Sequence, residues 1–63
     1  MDDALLAYAA GHADGAAGLR SAEAADHPDT GSDYRIGVAD GSVVAFQTEL
    51  LAEVRRLLGE DPA

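Results

Sequence analysis

Between Asp33 and Leu58 the large apolar residues return every three or four positions. At 100° per residue, Phe46, Leu57, Ala39, Leu50, Val43, Ile36, Val54, Leu58, Leu51 and Val44 fall within one arc of roughly 160°. Arg35, Ser42, Glu49, Glu53 and Arg56 lie opposite; Asp40 and Gln47 intrude on the arc, and Val38 strays from it. The pattern predicts one amphipathic helix over about residues 33–58. Asp40-Gly41 between Ile36, Val38, Val43 and Val44 is also a hairpin signal. A β-hairpin at 34–48 followed by a C-terminal helix is therefore the alternative, although it breaks a continuous pattern at its midpoint. Ser32 or Asp33 is suited to cap the start of the helix, because a short polar side chain accepts from the free amides of the first turn. Gly59 is placed to end it, with Pro62 just beyond.

An earlier stretch predicts a first helix over about residues 2–25. Leu5, Tyr8, Ala9, His12, Ala16 and Leu19 share a face, with Gly11, Gly15 and Gly18 beside it. Asp2 and Asp3 suit the positive N-terminal end of that helix. Asp26-His27-Pro28-Asp29-Thr30-Gly31-Ser32 is a run of breakers and turn formers, read as the loop 26–32. Folding the chain back at Pro28 predicts an all-α, antiparallel two-helix hairpin forming one small domain, 1–63. Its register would bring Leu19 near Ala39, Gly15 near Val43, Tyr8 near Leu50 and Leu5 near Val54, small residues facing large ones.

Size limits what such a hairpin can do. Sixty-three residues bury only about 60% of their unfolded surface, so a domain this small needs additional support. There is no cysteine, which excludes disulfides and thiolate metal sites. Fourteen residues are alanine, with one Phe, two Tyr and no Trp, too little bulk to wall off a substrate pocket. The ridge of Phe46, Leu50, Leu51, Val54, Leu57 and Leu58 is wider than one Ala/Gly-rich helix can cover. The expectation is a homodimer, two hairpins pairing into a four-helix bundle.

Charge narrows the partners. Net charge is −8, with twelve acids against four arginines and no lysine. Nucleic-acid binding needs clustered cations, and Arg55-Arg56 is the only adjacent pair, so direct DNA or RNA binding is disfavoured. An acidic surface at Asp14, Asp26, Asp29, Asp33 and Asp40 would instead suit a cationic protein patch. No apolar run approaches the ~20 residues of a membrane span, and Met1-Asp2-Asp3 lacks the basic start of a signal peptide. The expected location is cytoplasmic. Arginine without lysine, amid so much alanine, points to a GC-rich bacterial or phage genome.

Two segments repeat at an offset of 26 residues. Tyr8-Ala-Ala-Gly11-His-Ala13-Asp14-Gly15 matches Tyr34-Arg-Ile-Gly37-Val-Ala39-Asp40-Gly41 at five of eight positions, and Glu23 falls in register with Glu49. A fixed-period match implies two copies of one structural unit. Glycines at i and i+4 line up on one helix face, and without a Cβ they let backbones approach closely. The helix-packing motif is thus Tyr8, Gly11, Gly15, Gly18, Tyr34, Gly37 and Gly41. The tyrosine rings would flank the grooves with their hydroxyls outward, and Asp14 and Asp40 would bond locally or to a partner's cation. From Tyr8 to Gly41, about half the chain, this arrangement resembles the ribosome modulation factor family and its small actinobacterial and phage relatives. That resemblance implies two short helices joined through glycine-rich segments, and association with ribosomes. The chain departs from the ribosome-binding members in lacking their aromatic-rich loop and in being acidic where they are basic.

Reactive chemistry is sparse. His12 and Asp14 lie about 200° apart on a helix, and the 26–33 stretch lacks the spacing of a calcium loop, so no metal or cofactor is expected. His12 is expected against Tyr8 and Gln47. Without lysine there is no phosphate-binding loop of the usual kind, and Ser21, Ser32 and Ser42 have no His–Asp arrangement beside them. The expectation is a non-catalytic protein–protein interaction or regulatory module. The alternatives are an acidic inhibitor that mimics nucleic acid in a basic cleft, predicting a row of Asp2, Asp3, Asp14, Asp26, Asp29 and Asp33, and a ribosome-associated factor.

Overall fold

The computed structural model describes residues 2–59. They form three helices, α1 (Asp3–Ala16), α2 (Ala22–Ala25) and α3 (Gly31–Leu57). Among the described residues there is no strand, and Ile36 to Val44 are helical throughout, so the β-hairpin alternative at 34–48 is not formed. A hairpin would have cut α3 across the middle of its apolar stripe. The helix keeps both its hydrogen bonds and a continuous face.

Local chemistry explains the helix ends. Asp2 caps α1 by accepting from the Ala4 amide at 3.0 Å. The predicted helix 2–25, however, stops nine residues early. Gly18 takes φ +73°, its amide donates to Gly15 O at 3.2 Å, and the Leu19 amide donates to Asp14 O at 2.8 Å. This pair of bonds is the Schellman ending, which favours glycine at the left-handed position. Gly18 therefore terminates α1 and does not belong to the packing motif.

Ser21 caps the single turn of α2 through Ala24 N at 3.2 Å. His27 Nδ1 then accepts from the Asp29 and Thr30 amides at 3.1 and 3.3 Å, holding the turn into α3. Thr30, with no side-chain capping bond, occupies the N-cap of α3, so neither Ser32 nor Asp33 serves there. The helix ends at Gly59, φ +80°, as its position in the sequence predicts. Pro62 lies outside the described residues.

The early stop of α1 changes the topology. Fourteen residues now separate α1 from α3, enough chain to return along the length of α1, about 21 Å, before α3 begins. Gly11 faces Tyr34 and Val38, Gly15 faces Val38 and Ser42, Gly37 faces Tyr8 and His12, and Gly41 faces His12 and Ala16. Partner numbers rise together along both helices. In an antiparallel pair they would fall as the other rose. The two helices run in the same sense, and the antiparallel hairpin, with Tyr8 near Leu50 and Leu5 near Val54, is corrected.

The packing is also the reverse of small against large. The face of α3 turned to α1 carries Tyr34, Gly37 and Gly41, all buried, and not the apolar arc. Among the described residues Tyr34, at 2% exposure, is the only large side chain that is buried, and Ala25 is the other buried hydrophobic residue. Leu5, Leu6, Leu19 and the aliphatic residues of α3 other than the half-buried Val38 remain exposed. With α1 ending opposite Ser42, the rest of α3 extends beyond it, and the molecule measures 48 × 22 × 15 Å.

Candidate functional site: a symmetric crossing and an uncovered helix

The crossing of α1 and α3 is built from the two copies of the repeat. A Cβ placed on Gly11 would overlap the carbonyl oxygen of Tyr34, and one on Gly37 would overlap that of Tyr8. Gly15 stands in the same way against Val38 O, and Gly41 against His12 O. Exchanging the two copies, by adding 26 to the first-copy residue of a contact and subtracting 26 from its second-copy partner, turns each contact into another, so the copies are related by an internal two-fold axis running along the pair. Each missing side chain leaves room for a Cα–H to point at a carbonyl of the other helix, a weak bond worth about 0.5–1 kcal/mol. This contact supplies the packing reason that offsets the ~1 kcal/mol helix penalty of each interior glycine.

The side chains obey the same symmetry. Tyr8 donates its hydroxyl proton to Asp40 Oδ2 at 2.6 Å, and Tyr34 donates to Asp14 Oδ2 at 2.5 Å. Each bond joins the tyrosine of one copy to the aspartate of the other. The hydroxyls therefore do not point outward to a partner, and Asp14 and Asp40 are committed within the fold. Both tyrosines are held above the ordinary range. For Tyr8 the hydrogen bond to Asp40 leads, followed by desolvation and the carboxylate's charge. For Tyr34 the bond to Asp14 leads, while the Ser21 amide, donating to the same oxygen at 2.8 Å, pulls the other way.

Symmetry ends where the environments differ. Tyr34 is enclosed beneath the connector, whereas Tyr8 is half-buried. Glu23 and Glu49, in register as sequence, are not equivalent as structure, for Glu23 begins α2 and Glu49 lies on the overhanging part of α3. Two anchors are invisible in the repeat. Gly31 abuts the Ala25 carbonyl, which also accepts from the Arg35 guanidinium, and together they pin α2 against α3. Ser21 acts twice, as the cap of α2 and as donor to Tyr34; its place before an Ala/Glu run is a capping signal that could have been read.

The remaining predicted site residues scatter. Phe46, Leu50, Leu51, Val54, Leu57 and Leu58 share the outer side of α3 and are all exposed, Phe46 at 65% and Leu57 at 72%. Asp26 and Asp29 lie exposed in the turn before α3, and Asp33 is half-buried in its first turn. His12 lies beside Tyr8, ring centroids 6.1 Å apart, as expected. Among the described residues no group of three or more His, Asp or Glu is placed to hold a metal ion, and no helix is long and apolar enough to cross a membrane. No protein-family model, curated protein or solved structure matches this chain.

Proposed function

We propose that the chain is a small non-catalytic protein–protein interaction module whose docking surface is the outer face of α3. One observation carries the reading: Phe46 and most of the large aliphatic side chains of α3 are exposed along one continuous stripe, while the fold is closed by glycine and tyrosine on the other side of the same helix. Monomeric proteins rarely leave a contiguous apolar patch larger than a few hundred Å² uncovered unless it binds something. The nucleic-acid mimic draws less support, because Asp14, one of its six proposed phosphate-like groups, is held by Tyr34.

The test compares the wild-type chain with a Leu50→Glu/Val54→Glu variant in affinity capture from host lysate. Both residues are exposed and lie beyond the end of α1, so the crossing is expected to survive the change. Proteins retained by the wild type and lost from the variant, the untagged chain itself included, support the module. An identical set on both, or nothing on either, the chain itself included, overturns it. Ribosomal proteins in the stripe-dependent set would identify the ribosome as partner; a basic enzyme released by moderate salt would indicate the mimic instead.

A further inference from the structure

We propose that the occupant of this stripe is a second copy of the chain, lying antiparallel along α3. The inference rests on the preceding reading of the stripe as a docking surface and adds the identity and direction of the partner.

Spacing is the first ground. Ile36, Ala39, Val43, Phe46, Leu50 and Leu57 occupy the two seam positions of a seven-residue repeat, spaced three and four apart, with only Glu53 out of character. This is the period by which one helix packs its knobs into another over a long distance, here about 31 Å. A compact or irregular partner would not require it. Glycine lines the other side of α3, where α1 sits, so the seam is free along its whole length.

The two shoulders of the seam decide the direction. One shoulder is apolar, with Val44, Leu51 and Leu58 interrupted by Gln47 and by Asp40, which Tyr8 holds. The other is polar, with Arg35, Ser42, Glu49 and Arg56. A two-fold axis along the helices lays each shoulder on the opposite shoulder of the partner, apolar against charged. A two-fold axis across them lays like on like. With the axis beside Phe46, Ile36 meets Leu57 of the second copy, Val43 meets Leu50, and Val44 meets Leu51 across the apolar edge. The charged edges, of mixed sign, stay in water.

Net charge agrees with that direction. Residues 1–42 carry eight acids and two arginines, a net −6, whereas 43–63 carry four acids and two arginines, a net −2. Parallel copies would set one −6 body beside the other. Antiparallel copies lay the weakly charged arm of each on the acidic body of the other. A specific interface buries about 800 Å² per partner, roughly a sixth of the 4674 Å² this chain exposes. A stripe running most of the length of the longest helix is the one surface of the described residues with that reach.

Sedimentation equilibrium of the full chain tests the proposal. A dimer at tens of micromolar is expected, with Leu50→Glu raising its dissociation constant roughly a hundredfold or more, since the residue enters the seam twice. Spin labels at Ser32→Cys, an exposed site in a chain without other cysteines, should lie about 44 Å apart in the antiparallel dimer, from 1.5 Å of rise per residue. A parallel dimer would bring them within about 20 Å and overturn the proposal. So would a monomer at several hundred micromolar, or a dimer indifferent to Leu50→Glu. A monomer that still captures another protein through Leu50 would overturn the self-pairing and leave the interaction module standing.

Discussion

Tyr34, in the second copy of the repeat, donates its hydroxyl proton to Asp14 in the first copy at 2.5 Å, and Tyr8 returns the same bond to Asp40. The fold is thereby clasped at two symmetric points on either side of the glycine contacts. The two clasps differ in enclosure, and their removal is expected to differ in effect.

Tyr34→Phe strips a bond from a side chain only 2% exposed and leaves the Ser21 amide without its acceptor, a loss that burial makes costly. Tyr8→Phe removes a bond from a half-buried ring to the exposed Asp40, where water replaces it. Thermal melts followed by circular dichroism should show a clear fall in Tm for Tyr34→Phe and a smaller one for Tyr8→Phe. Equal falls would mean that the enclosure of Tyr34 has no energetic weight.

Alkaline pH should loosen the crossing. Both hydroxyls are raised above the ordinary 10.0 in the folded chain. A raised folded value stabilises fully below the unfolded value and fades as pH climbs through the folded one. The contribution of the clasps is therefore constant from neutral pH to about 10 and is lost above it. Tm measured across that range in the wild type and in Tyr8→Phe/Tyr34→Phe should converge at high pH. Parallel curves through pH 11 would contradict the proton-donating role of the hydroxyls.

Gly37→Ala sets two effects against each other. Alanine favours a helix interior by about 1 kcal/mol over glycine. Its methyl group, however, would overlap the Tyr8 carbonyl and crowd the His12 amide, backbone atoms that cannot rotate aside. Overpacking of this kind costs about 1–3 kcal/mol, and more where rigid atoms meet. Net destabilisation of about 1–2 kcal/mol is expected, lowering Tm by roughly 4 °C or more in a domain of this size. A Tm increase would show that the helices are not in backbone contact there.

Gly18→Ala isolates backbone strain, because no atom lies within 4 Å of the added Cβ, while φ stays at +73°. The left-handed conformation costs an L-residue about 1–2 kcal/mol, and asparagine tolerates it better than most. Urea midpoints should therefore rank glycine above asparagine above alanine. If alanine matched glycine, α1 would have to end otherwise than at Gly18.

Much of the secondary structure was legible in the chain itself. The 3.6-residue period of Ile36 to Leu58 was strong enough to override the Asp40-Gly41 hairpin signal, and Asp2 and Gly59 marked helix ends that the structure uses. The 26-residue repeat marked the residues that meet, because the spacing of Gly11 with Gly15 and of Gly37 with Gly41 states where a backbone can come close. Only the tertiary structure decided which face of α3 turns inward. Apolar area favours burying Phe46 and the leucines, but backbone contact is possible only where glycine removes the Cβ. The clasped glycine face took the interior and left the large side chains outside. Helix direction was likewise undecided by periodicity, which reads the same for parallel and antiparallel neighbours. It turned on a single residue: once Gly18 adopted its left-handed turn, the connector became long enough to carry the chain back and start α3 beside the beginning of α1.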